Sequence, residues 1–212
     1  MEDIALPDIE MRKLPLQDRS RARLEAIQEA ATSIILEQGL PKMGIREVAR
    51  RAEVNIATFY QFFPNKTSLL RQLSETYMIE IRELVQNAGQ RAMAMSIEDG
   101  VEHICTGMLD YFRANPAYIE LWSGGQANPE LRDVNLDDSY QNAKFLELLG
   151  RHWSGGREVK GLETLTLLLS ITTGHVLRHA ALMSKEDGDA LVKAHCEMVT
   201  AKLRVALLGH TV

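Results

Sequence analysis

Residues 54–66 read VNIATFYQFFPNK, and they hold the chain's densest set of side chains suited to recognition chemistry. Asn55, Thr58 and Gln61 offer amides and a hydroxyl at helical spacing, and the stretch contains no acid. Amides and hydroxyls pair with the edges of bases, and a threonine methyl can touch a thymine methyl. Carboxylates in their place would be repelled by phosphate. Phe59, Phe62 and Phe63 give the same short segment a wide apolar face, which needs other helices to cover it. One helix anchored on one side and polar along the other suits docking into a DNA groove.

The flanking residues show how such a helix would be held. IREVARRA (45–52) reads as a short helix with Val48, Ala49 and Ala52 inward and Arg46, Arg50 and Arg51 outward. A tight connection, EVN, leads on, and the Asn55 side chain can accept from the amide of Ala57 or Thr58 as an N-cap. Pro64 ends the second helix, because it lacks an amide hydrogen and disfavours helical geometry at Phe63. Asn65 can cap a longer helix with Leu69, Leu70, Leu73, Tyr77, Ile81, Leu84 and Val85 on one stripe. Ahead of both short helices, Leu24, Ile27, Ala31, Ile34 and Ile35 mark a helix that stops at Gly39 and Pro41. Two short helices joined by a tight turn, the second capped and polar on one edge, describe a helix-turn-helix. Its second helix lies in the major groove.

At this point GIREVARRAEVNIATFYQFFPNKTSLL resembles the DNA-binding signature of the TetR family of transcriptional regulators. Ala49, Ala52, Val54, Thr58, Tyr60, Phe63, Asn65, Lys66, Leu69 and Leu70 fall in register with it, over about residues 20–75. The resemblance implies that Thr58 meets a base edge or phosphate, that Tyr60 bonds phosphate through its phenol, and that Lys66 meets another phosphate. It places Arg46 where a base is often reached, and Asn55, Ala57 and Gln61 at positions that vary with the operator. Three residues depart from the pattern. Glu53 replaces a turn glycine, at a cost of about 1–2 kcal/mol if the turn is left-handed. Gly44 replaces a capping threonine, and Phe62 a histidine or tyrosine.

The same resemblance implies an all-α chain: an N-terminal three-helix helix-turn-helix domain plus a larger helical ligand-binding and dimerisation domain. The expected division is a flexible arm (1–18), the DNA-binding domain (19–66), a connecting helix (67–88) and the effector and dimerisation domain (89–212). It further implies a homodimer on a palindromic operator in double-stranded DNA, most often a repressor that a small-molecule effector releases.

Charge follows the same division. The net charge is −5 over 212 residues, yet residues 12–71 carry +5, residues 1–11 carry −4 and residues 72–212 carry −6. A basic module on an acidic body points to a polyanion partner at one end. The arm MRKLPLQDRSRAR adds five of the bases. MEDIALPDIE lacks the basic and apolar regions of a secretory signal, and LTLLLSITTG (165–174) is too short to span a bilayer. No membrane role and a cytoplasmic location are therefore expected. Cys105 and Cys196 form no CxxC pair and read as buried free thiols, with a disulfide or redox switch as the alternative.

Beyond residue 90 the punctuation SIEDG, NP, SGGQANP, WSGGRE and SKEDGD delimits five further helices. The last two, about 159–183 and 187–208, are apolar on more than one side and suit a four-helix dimer bundle. Met108, Tyr111, Phe112, Trp122, Tyr140, Phe145 and His175 are the candidates for an apolar effector pocket. His175 and His179 stand four apart, a spacing open to two metal ligands, but a metal needs more, and only His103, Cys105 or a carboxylate could be recruited by folding. No metal and no cofactor are expected. Elbow, zinc-protease, phosphate-loop and dinucleotide motifs are all missing, so an enzyme is not expected. An all-α enzyme and an architectural DNA-binding dimer without an effector stand as the alternatives.

Overall fold

A computed structural model of the chain describes residues 16–126 and 128–209. Nine α-helices and one 3-10 turn form its regular structure, with no strand among the described residues. The all-α expectation is met.

Helix α1, Leu16–Gln38, buries Ile27, Ala31, Ile34 and Ile35 along the expected stripe. It stops where Gly39 adopts a φ of 80° and Pro41 enters a 3-10 turn at Leu40–Lys42. Because α1 begins at Leu16, the last three residues of the expected arm already belong to its first turn. The rest of that arm, Arg12 and Lys13 included, lies outside the described residues. Helices α2, Ile45–Arg51, and α3, Ile56–Phe62, follow. Gly44 caps α2 without a side-chain hydrogen bond, as a missing side chain dictates. Asn55 Oδ1 accepts from the Thr58 amide at 2.7 Å, which settles the choice between the two candidate amides.

Helix α4, Lys66–Ala92, opens with a reciprocal box in which the Asn65 side chain accepts from the Ser68 amide and Ser68 Oγ accepts from the Asn65 amide. Each such cap is worth about 1 kcal/mol. Val48, Phe59, Phe63, Leu69 and Leu73 join the α1 stripe in one core. Arg51 bridges Glu37 on α1 at 2.7 Å and Glu47 on its own helix at 2.9 Å, so an ion-pair network fixes α2 against α1.

The second core is built from α4 together with α5 (Ile97–Ala114), α6 (Pro116–Gly125), α7 (Pro129–Trp153), α8 (Leu162–Leu182) and α9 (Lys185–Leu208). Ser96 and Ser184 cap α5 and α9 by accepting from the amides of Asp99 and Asp187. Helix α4 serves both cores: Leu69–Leu73 in the first, Met78–Ala92 in the second, with Tyr77 packed on each. It runs four residues past the expected boundary at residue 88. Helix α6 is a second link. Its Leu121 belongs to the first core, and a Cβ on Gly124 would stand 2.4 Å from Leu40 Cδ2. Among the described residues no helix is long and apolar enough to cross a membrane.

Candidate DNA-binding edge and effector cavity

Helix α3 divides as its sequence demands. Phe59 and Phe63 are buried, Phe62 is half-buried, and Ala57, Tyr60 and Gln61 are exposed with Thr58 half-covered between them. Tyr60 keeps 51% of its surface open while its ring meets Phe59 edge-on at 5.7 Å, so its phenol points from a supported base. Arg46 is exposed on α2. Two other residues are already engaged within the fold. The Asn55 oxygen serves as the α3 cap. The Lys66 ammonium donates to the Leu40 carbonyl at 3.0 Å, and partial burial lowers its proton affinity. Two of its three N–H bonds remain for another acceptor.

The neighbouring arginines are committed to acids. Arg50 forks onto Glu47 at 2.7 and 2.8 Å, and Arg51 joins it there. Hydrogen bonds from Arg50 and then Arg51 hold the Glu47 carboxyl down at about 2. In the turn, Glu53 adopts a φ of 54°, so the left-handed geometry is present without the glycine that relieves it. The turn is closed by Val54, whose amide donates to the Ala49 carbonyl at 3.0 Å.

A cavity runs through the second core, walled by α4, α5, α7, α8 and α9. Its interior volume is about 80 Å³, small beside the roughly 300–1,000 Å³ of typical small-molecule sites. Of the seven pocket candidates only Met108 lines it. The other six stand elsewhere because large aromatic rings fill helix crossings rather than leave gaps. Tyr111 donates its phenol to Glu80 at 2.6 Å, with burial and then that carboxylate pushing its pKa up. Phe112 stacks on Tyr118 at 5.5 Å. Trp122 meets the His175 and His179 rings edge-on, and those histidines bond carbonyls of their own helix. Tyr140 is exposed on α7, and Phe145 occupies the space a Cβ on Gly89 would need. Among the described residues no cluster of three or more His, Cys, Asp or Glu is arranged to hold a metal ion.

The cavity's polar end uses residues that sequence reasoning missed. Asp138 on α7, 3% exposed, pairs with Arg82 of α4 at 3.3 Å and accepts from Asn142 Nδ2 at 2.9 Å. Burial pushes its carboxyl up to about 6, in spite of Arg82 and Arg178 pulling the other way. Arg178 of α8 donates Nε to the Tyr118 hydroxyl at 2.8 Å. Its guanidinium lies 5.2–5.4 Å from the ring centres of Phe112, Trp122 and Tyr118. A lone arginine inside LTLLLSITTGHVLRHAAL was the available signal.

Two family models cover these two units in turn. Residues 27–73 match the bacterial regulatory proteins of the tetR family, and residues 95–207 match a tetracyclin repressor-like C-terminal domain. The chain belongs to the TetR family. It is a DNA-binding transcriptional regulator with that family's helix-turn-helix; TetR-family proteins act as dimers and typically carry a ligand-binding C-terminal domain. HTH-type transcriptional regulator BetI from Yersinia pestis (strain Pestoides F) is 26% identical over 176 residues, covering 76% of this chain and 87% of its own. Solved TetR-family structures share the fold. One from Mesorhizobium loti superposes with a TM-score of 0.68 at 14% identity, covering 86% of this chain and 97% of its own. The fatty acid degradation regulator FadR from Bacillus halodurans gives 0.67 at 20% identity, covering 86% and 96%. RolR in complex with resorcinol gives 0.58 at 15% identity, covering 90% and 95%.

Proposed function

We propose that this TetR-family chain is a homodimeric repressor, gripping a palindromic operator through α2 and α3 and released when a small molecule fills the cavity. The observation that carries the reading is the continuity of α4. Its Leu69 and Leu73 share a core with Phe59 and Phe63 of the recognition helix and its end, and Ile81 and Val85, on the same unbroken helix, wall the cavity. A ligand that prefers a different setting of α4 shifts the spacing of the two recognition helices, and its differential affinity sets the size of the effect. The buried Arg178 and Asp138 in the cavity wall also favour a sensor over an architectural dimer, whose C-terminal core would need no such charges.

Roles on the DNA face follow from exposure. Tyr60 and the remaining N–H bonds of Lys66 bind phosphate, Thr58 meets phosphate or a base edge, and Arg46 and Gln61 read bases with Ala57 in contact beside them. Asn55 acts mainly by capping α3. We assign residues 19–66 to DNA binding, 67–88 to the connection and 89–212 to effector binding and dimerisation. The dimer face is taken from two exposed stripes at three- and four-residue spacing. These are Leu168, His175, His179 and Leu182 on α8, with Thr172 half-buried among them, and Leu191, Ala194, Met198, Ala201 and Val205 on α9. Leu168 and Met198 leave 54% and 58% of their surface open, an apolar area suited to a partner. The site of action is the cytoplasm, where the operator lies.

Fluorescence anisotropy with duplex from the gene's own upstream region, after thermal-shift screening of small molecules, tests the reading. The expected result is salt-dependent binding by a dimer and release by a compound that raises the melting temperature. A strictly monomeric protein, or one that holds no duplex at low ionic strength, would overturn it.

A further inference from the structure

The cavity is long, and its polar groups are unevenly placed. Along α7 the lining runs from Asp138 to Trp153, about 22 Å at 1.5 Å per residue, and along α8 from Thr166 to Arg178, about 18 Å. Most polar side chains on this path already have partners. The hydroxyls of Thr166 and Ser170 donate to the carbonyls of Glu163 and Ser139, and Thr173 Oγ1 is bonded to His195 Nε2. At the Trp153 end the indole N–H has no partner, but it is a single neutral donor. At the other end stands Arg178, 7% exposed. Only its Nε is bonded, to Tyr118, so among the described residues its two terminal nitrogens have no hydrogen-bond partner.

Charge at this end is out of balance. Among the described residues Asp138 is the one buried acid; two guanidiniums act on it, and its direct ion pair is with Arg82. The three rings around Arg178 soften its burial through their electron-rich faces but supply no counter-charge. A buried cation without a matching anion is costly, and a guanidinium fork matches a carboxylate through two parallel hydrogen bonds.

We propose that the effector is an elongated apolar monocarboxylate whose head group is taken by the terminal nitrogens of Arg178 and whose body lies along α7 toward Trp153. This rests on the cavity being the effector site. The carboxylate completes the charge balance at Arg178, and the aliphatic wall of Val85, Ile104, Met108, Leu146 and Leu149 removes the body from water. Entry of a second anion next to Asp138 also bears on its pairing with Arg82, which sits on α4.

The test is isothermal titration of the full-length protein with decanoate, decan-1-ol and decylammonium, with operator binding measured separately. Decanoate is expected to bind about tenfold or more tightly than decan-1-ol, the ratio that a charge-assisted bond supplies. Arg178→Gln should erase that preference. Asp138→Asn, which removes the competing anion, should tighten decanoate several-fold; opposite signs for the two variants separate head-group recognition from general loss of folding. Equal affinity for decanoate and decan-1-ol, or tighter binding of decylammonium, would overturn the proposal. So would failure of all three to bind while the protein holds DNA and another compound releases it, and that result would leave the repressor reading standing. Loss of all DNA binding would overturn the repressor reading instead, and the calorimetry would still decide the ligand class.

Discussion

The Lys66 ammonium and the Leu40 carbonyl are joined by a 3.0 Å hydrogen bond that ties the start of α4 to the turn after α1. The same Leu40 uses its side chain to fill the space left open by Gly124 on α6. One residue thus receives contacts from the DNA-binding unit and from the larger domain. Lys66→Met is expected to lower stability by about 1–2 kcal/mol, since a charged hydrogen bond is lost from a partly exposed site. It should also reduce the salt slope of DNA binding by about 0.9. Urea denaturation and anisotropy at several salt concentrations check the two effects. A stability loss with an unchanged slope would show that Lys66 positions α4 without touching phosphate.

Glu53 carries its strain openly, at a φ of 54° in a turn that favours glycine. Glu53→Gly removes about 1–2 kcal/mol of left-handed strain and gives back about 0.5–1 kcal/mol through a more flexible unfolded chain. A net gain of roughly 1 kcal/mol in urea is expected. A loss of stability would mean that the glutamate side chain contributes more than its backbone costs.

The N-terminal unit was readable because its signals are local. Asn55 and Asn65 cap the helices that follow them through bonds spanning three residues, and Pro64 follows directly on the end of α3. The cavity was not readable in this way. Asp138 and Arg178 are brought together from α7 and α8, and Arg82 comes from α4. Aromatic residues drew the sequence-based assignment, yet rings such as Phe112 and Phe145 pack tightly and close space. Gly150, Gly174 and the small hydroxyl residues of α8 line the cavity, yet Leu162 and Arg178 close on the two glycines, so the space depends on what faces each residue. The lone arginine of the apolar helix α8 was the better guide.

Tyr60 and Gln61 are adjacent and both exposed, but they present different chemistry to DNA. Tyr60→Phe removes one phosphate-bonding hydroxyl and should weaken all duplexes by a similar factor, with stability unchanged. Gln61→Ala should change preference at particular base pairs by about 1–3 kcal/mol and leave other sequences nearly unaffected. Binding to a panel of single-base operator variants distinguishes the two patterns. Uniform losses for both residues would contradict the division.

Asp138 makes stability depend on pH in the direction opposite to an ordinary ion-paired acid. Burial raises its folded pKa to about 6 from an ordinary 3.8, so between those values the folded protein holds a proton that the unfolded chain has released. Stability from this group therefore falls as pH rises through that window, by at most about 3 kcal/mol. Asparagine neither titrates nor needs to shed a proton. The Asp138→Asn variant, measured against the unaltered protein in urea, should thus gain ground as pH is raised from about 4 to about 7. A stability difference that stays flat across this range would mean that Arg82 and Asn142 compensate the buried carboxylate in full. A difference of the opposite slope would place the folded pKa below the ordinary value and make the Arg82 pair dominant over burial.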